Sequence, residues 1–202
     1  KGHVGQIKRA YEMLMKAKRP MLYTGGGIIL GNASNELRDF TQAINAPITN
    51  TLMGLGTYPA TDKQFLGMLG MHGTYEANMA MHECDVLLAL GVRFDDRITG
   101  KLELFCPHAK IIHVDIDPSS IGKIVPIDYP IVGDLKNVVE AMIPLAKEHV
   151  NADKYKPWRD LLKRYDEIHP LKYEDSNEIL KPQWAIERVG ELLGEKAIIC
   201  TD

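Results

Sequence analysis

Short apolar runs of strand length recur along this chain, and each gives way to a glycine or an acid before a segment with helical spacing begins. Strand-like runs fall at 21–24, 47–51, 85–90, 110–115 and 130–132, with 65–69 a weaker one. Val4, Ile7, Tyr11 and Leu14 recur at helical intervals ahead of Pro20, and Leu37, Phe40 and Ile44 do so behind Ser34, which is expected to cap that helix. Thr74 opens a further helix to about Glu83, and Leu135, Val138, Val139 and Met142 line another, where Pro144 is expected to kink or split the helix. Strands that are apolar almost throughout must be covered on both faces. Alternation with helices therefore points to an α/β fold, with a parallel sheet of about six strands flanked by helices on both sides.

Charge excludes some partners. The 24 Lys and Arg against 27 Asp and Glu give a net charge of -3, so no basic excess exists to draw nucleic acid or an anionic membrane. The apolar runs are far too short to span a bilayer, and no signal peptide opens the chain. Cys84, Cys106 and Cys200 are odd in number and widely spaced, which indicates neither a disulfide framework nor a zinc site and fits a cytoplasmic compartment. Residues 1–148 read as one α/β domain and 149–181 as a charged helical connector built on Trp158, Leu161, Leu162 and Tyr165. A helix from Pro182 and a strand at 197–200 then read as the opening of another domain, so that both ends look like cuts within a longer protein.

In an open parallel sheet, ligands bind outside the carboxyl ends of the strands. The segments expected there are Gly25-Gly26-Gly27, Thr51 to Gly56, Gly67 to Thr74, Gly91 to Arg97, Asp115 with Asp117, and Gly133-Asp134. Glycines let backbone N–H groups approach a pyrophosphate, arginine offers a positive fork, and strand-end carboxylates suit ribose or adenine. Together they suit an extended dinucleotide. Each also has a plainer reading. The triple glycine is a near miss to GxGxxG, Asp134 serves equally as a helix cap, the Arg93 to Arg97 charges form a solvated network, and the methionines between Met53 and Met81 fill a core. His72 has no partner at ligand spacing, so no metal is expected, and no Ser/His/Asp or Cys/His arrangement is evident.

Four blocks narrow the choice. Leu52-Met53-Gly54-Leu55-Gly56, Met68-Leu69-Gly70-Met71-His72-Gly73-Thr74, Gly91-Val92-Arg93-Phe94-Asp95-Asp96-Arg97 and Ile112-His113-Val114-Asp115-Ile116-Asp117-Pro118 stand in order within about 18–146. They closely resemble the central domain of acetohydroxyacid (acetolactate) synthase large subunits, a family of thiamine diphosphate enzymes. The resemblance implies a Rossmann-like (DHS-like) domain that binds FAD without net redox use. By position it implies Gly26 and Gly27 at the nucleotide's phosphate and ribitol. Thr51, Leu52, Leu69, Gly70, Met71 and His72 would lie along the extended cofactor. Gly91, Val92, Arg93 and Asp95 would hold its middle, and Asp115, Ile116, Asp134 and Leu135 its adenosine half. Arg97 would orient the second 2-oxo acid with Met71 nearby, and Met71, Asp96 and Arg97 would meet herbicide-type inhibitors.

The resemblance further implies a parent that condenses two pyruvates, or pyruvate with 2-oxobutyrate, in branched-chain amino-acid synthesis. That parent would be a homodimer or higher oligomer with a small regulatory subunit. Its thiamine diphosphate and Mg2+ would be held by domains outside these residues, which contain no GDG motif. The fragment by itself is expected to be inactive. Alternatives are glyoxylate carboligase, the flavin-free catabolic acetolactate synthase, a stand-alone nucleotide-binding module and an NAD dehydrogenase; the last is disfavoured by Asn50-Thr51 where an acid would end the second strand.

Overall fold

A computed structural model describes residues 2–148, 153–194, 197, 198 and 200. Contacts divide the chain into two compact units, 1–170 and 171–202. The first is built on six parallel strands: β1 (Pro20–Thr24), β2 (Ile48–Asn50), β3 (Phe65–Met68), β4 (Val86–Leu90), β5 (Lys110–Asp115) and β6 (Tyr129–Val132). Their order across the sheet is β3-β2-β1-β4-β5-β6, so the chain works outward from β1 and then restarts at β4 on its other side. The parallel sheet and its strand count agree with the sequence reading.

Alternation within each strand sorts the core into two layers. Leu22, Leu88, Leu90, Ile112, Val114 and Ile131 face one side, under helices α1 (Val4–Lys16), α3 (Ser34–Ile44) and α6 (Leu135–Glu148). Met21, Tyr23, Leu87, Ala89 and Ile111 face the other, under α4 (Tyr75–Glu83) and α7 (Lys156–Ile168). Pro20 to Thr24 and Val86 to Leu90 are buried at every position, which is why their sequence shows no polar alternation. Helix α7 packs onto the sheet's second face, where Trp158 Nε1 donates to the Pro20 carbonyl at 3.0 Å; Tyr155 just before it joins the first layer and donates to the Leu14 carbonyl of α1 at 3.1 Å.

Local departures from the sequence expectations have physical causes. The triple glycine is not only a tight loop: Gly25 caps a one-turn helix, α2 (Gly26–Leu30). Ser34 is the first residue of α3 rather than its cap, because Ala33 occupies the cap position and its carbonyl accepts the Leu37 N–H at 2.9 Å. Pro144 does not split α6, which runs unbroken from 135 to 148 with Met142 and Ala146 buried on either side of it. Core packing there outweighs the one backbone bond a proline forfeits. In the second unit, α8 (Pro182–Leu193) follows a segment in which Tyr173 donates to Glu187 at 2.7 Å. The strand expected at 197–200 falls partly outside the described residues, and Ala197, Ile198 and Cys200 have no strand structure. Among the described residues no helix is long and apolar enough to cross a membrane.

Candidate functional site

Because every strand runs the same way, all six loops singled out from the sequence emerge at one edge of the sheet. The order in which the chain adds strands reverses between β1 and β4, and the segments leaving those two strands pass to opposite faces of the sheet, the place where folds of this topology hold a ligand in a crevice. The lips of the crevice touch through backbone alone. Gly25 N–H donates to Leu90 O at 3.1 Å and Gly27 N–H to Gly91 O at 3.3 Å. A Cβ on Gly25 would stand 2.3 Å from the Gly91 carbonyl oxygen, and one on Gly27 would stand 2.8 Å from Gly91 Cα. Gly91 adopts a left-handed φ of 62°, and a Cβ there would lie 2.6 Å from Leu135 Cδ1. Three glycines and the buried Leu135 thus form one contact, joining loops from β1, β4 and β6.

The β2 side of the crevice is closed by a buried polar cluster. Thr24 and Asn50 are fully buried at the ends of β1 and β2; Thr24 Oγ1 donates to Asn50 Oδ1 at 2.5 Å and lies 3.2 Å from Thr57 Oγ1. Asn50 Nδ2 donates to Gly54 O at 2.9 Å, and Thr51 Oγ1 accepts the Gly54 N–H at 2.9 Å. Asn50 therefore turns inward with both its amide oxygen and its amide nitrogen bonded, and Leu52 and Met53 are left exposed on the short turn that follows. The strand end where a dinucleotide fold of the NAD type places an outward acid offers none here.

The loop after β3 reaches across to the loop after β4. Met71 N–H donates to Arg97 O at 3.2 Å, and Gly70, with a φ of 101°, packs so closely that a Cβ would meet the same carbonyl at 2.8 Å. Asn78 on α4 holds this turn: it accepts the Gly70 N–H at 3.0 Å and donates to Gly70 O at 3.1 Å and to Thr74 O at 2.9 Å. Met71 and His72 are exposed beside it, while Leu69 is buried. Replacing Asn78 with alanine removes three bonds from a half-buried turn, so we expect a loss of about 1–3 kcal/mol in urea unfolding and faster amide exchange at Gly70. Unchanged exchange at Gly70 would show that the turn holds without Asn78.

Phe94 sets the shape of the β4 loop. It is buried with a left-handed φ of 56°, and its ring meets Tyr23 at 5.7 Å, Phe105 at 5.9 Å and His113 at 5.1 Å, all edge-on. With that ring turned in, Arg93 and Asp95 point outward and pair at 3.4 Å. Asp96 and Arg97 follow in the first turn of α5 (Asp96–Thr99), where Asp96 Oδ1 accepts the Arg97 N–H at 2.9 Å. The Arg97 guanidinium is exposed and has no ion-pair partner among the described residues.

On the far side, Asp115 ends β5 with Ile116 exposed beyond it, and Gly133 N–H donates to Asp115 O at 2.9 Å. Asp134 Oδ1 accepts the Asn137 N–H at 2.9 Å, the capping role open to it from sequence. Val92, Leu69 and Leu135 are buried, so at these positions only the backbone is available to a ligand. Among the described residues no group of three His, Cys, Asp or Glu is placed to hold a metal ion. Reasoning from sequence overlooked Asn78, although it stands one helical turn after the capping Thr74. It also overlooked the ring contacts of Tyr23, Phe94 and His113, for which no local signal exists.

A six-stranded parallel sheet in this order, with a glycine-lined crevice at its point of reversal, defines a doubly wound α/β domain of the Rossmann type. Comparison with known proteins gives the particular family. Residues 7–142 match the central domain of thiamine pyrophosphate enzymes, and the chain belongs to that family. Over all 202 residues it is 49% identical to the acetolactate synthase large subunit of Buchnera aphidicola subsp. Acyrthosiphon pisum, covering 35% of that protein. It is also 49% identical to the Haemophilus influenzae acetolactate synthase large subunit, covering 35% of it. Identity to the Escherichia coli acetolactate synthase isozyme 3 large subunit is 47%, with 36% of that protein covered. The chain thus spans about a third of the length of these relatives.

Proposed function

We propose that this domain holds FAD across the β1/β4 crevice, as part of an acetolactate synthase large subunit. The observation that carries the reading is the close contact of Gly25, Gly27 and Gly91 at the sheet's switch point, where no side chain fits between the loops. Gly26 and Gly27 would lie against phosphate and ribitol, Thr51, Leu52 and the Leu69 to His72 turn along the extended cofactor, and Gly91, Val92, Arg93 and Asp95 at its middle. The inward turn of Asn50 favours the opposite lip for the adenosine half, next to Asp115, Ile116, Asp134 and Leu135. When bound, the flavin would supply a flat ring for packing and no net redox chemistry.

The parent reaction would join two pyruvates to 2-acetolactate, or pyruvate to 2-oxobutyrate to give 2-aceto-2-hydroxybutyrate, a two-carbon acyl transfer. Thiamine diphosphate and Mg2+ would be bound by parts of the polypeptide beyond these residues. Arg97 is the group of this chain that would act on substrate: its free guanidinium suits the carboxylate of the second 2-oxo acid, beside Met71. Met71, Asp96 and Arg97 would also contact herbicide-type inhibitors. The large-subunit names of the relatives support a homo-oligomer with a small regulatory subunit. A charged helical connector at 149–181 and the start of a further domain at 182–202 complete the reading.

Titration of the purified chain with FAD, followed by flavin fluorescence and thermal melting, tests it. Saturable binding with a raised melting temperature is expected. Absence of binding in the folded chain and in the full-length protein would remove the flavin reading and favour a flavin-free relative.

A further inference from the structure

We propose that His113 is a positioning residue that fixes the loop after β4, one lip of the crevice, against β5, and so sets the affinity of the crevice for the flavin nucleotide; this rests on the FAD reading above. His113 stands in the middle of β5, fully buried, one strand beyond Ala89 and two beyond Tyr23 in direct register. Ala89 is the small residue of that row, and the space above it is taken by the Phe94 ring, edge-on to both flanking rings. The imidazole therefore packs under the β4 loop from below.

It also holds that loop by a hydrogen bond. Nε2 lies 3.0 Å from the Val92 carbonyl oxygen, which can only accept, so Nε2 bears the proton. Burial, the dominant influence, pushes the imidazole below its ordinary pKa despite Asp115 and the Val92 carbonyl, so the ring is neutral with this single N–H. Asp115 Oδ2 lies 3.9 Å from the same Nε2, and its other oxygen accepts the Asp117 N–H at 2.9 Å. With a neutral ring this is a polar contact within β5 and not an ion pair. Among the described residues Nδ1 has no hydrogen-bond partner, an uncompensated cost in a fully buried ring that packing alone does not require. Leucine would fill the same space without it. The histidine is explained by what Nε2 does: it ties the Val92 carbonyl, next to outward-facing Arg93, to the strand that ends in Asp115.

Glutamine can place an N–H where Nε2 stands, whereas leucine fills the volume without one and asparagine is too short to reach. We expect His113→Gln in the full-length protein to keep the FAD dissociation constant within about threefold of the wild type. His113→Leu should raise it at least tenfold, with the melting temperature of the flavin-free protein little changed. His113→Asn, expected to behave as leucine does, serves if the leucine variant fails to fold. Flavin affinity unchanged in the leucine or asparagine variant, or lost equally in the glutamine variant, overturns the role of His113 while leaving the flavin site intact. A wild-type protein that binds no FAD overturns the flavin reading and this inference with it.

Discussion

On the proposed function, replacing Arg97 with alanine in the full-length protein is expected to lower kcat/KM for the second 2-oxo acid by about 10- to 100-fold, with FAD content unchanged. A charge-assisted bond to a carboxylate contributes about 1.5–3 kcal/mol, which sets that range. The side chain is free to act because its own neighbours leave it alone: Asp96 takes the Arg97 backbone N–H, Met71 takes the backbone carbonyl, and the guanidinium has no ion-pair partner among the described residues. The backbone is thus held at both ends while the charge projects into solvent. Lysine at this position should recover only part of the loss, since an ammonium cannot match both carboxylate oxygens at once. Steady-state kinetics with varied 2-oxo acid, alongside flavin absorbance of the purified variant, measure both quantities. Loss of flavin with unchanged use of the second substrate would refute the assignment of Arg97.

Gly91→Ala should destabilise the fold strongly, because it combines a positive φ with a crowded site. The residue sits at φ 62°, and the added carbon would stand 2.6 Å from Leu135 Cδ1 and 2.8 Å from Gly27 Cα. Left-handed backbone costs an L-residue about 1–2 kcal/mol, and overpacking against a backbone atom adds about 1–3 kcal/mol. A domain of this size loses roughly 2–4 °C per kcal/mol, so a fall of about 10 °C in melting temperature is expected, together with loss of FAD binding. Gly100→Ala is the control, because φ there is 54° but nothing lies within 4 Å of the added carbon. With ψ at -124°, it should carry a backbone cost without the crowding. Equal effects at the two glycines would mean that crowding at the crevice contributes nothing.

Most of the sheet was legible because burial on both faces leaves a mark in composition. Strands such as Val86 to Leu90 have no polar position, and a run of that kind has few other places to go. The site was legible as loops, since glycines and charges gather after each strand, but not as an arrangement. Nothing around Met71 announces that its N–H reaches Arg97, because those residues come from loops after different strands and meet only when β3 and β4 are in place. Asn50 shows the same limit from the other side. The missing acid was visible, while the inward turn of the amide toward Thr24 and Gly54 depends on a neighbouring strand.

By itself, the amino-acid order determined the fold class, the six strands and the six loops at one sheet edge, because apolar spacing and glycine act over a few residues. Tertiary structure alone decided that Gly25, Gly27, Gly91 and Leu135 share one contact, that Phe94 turns inward so that Arg93 and Asp95 face out, and that His113 lies beneath them. Those relations join residues tens of positions apart, and only the strand order β3-β2-β1-β4-β5-β6 brings them within reach of one another.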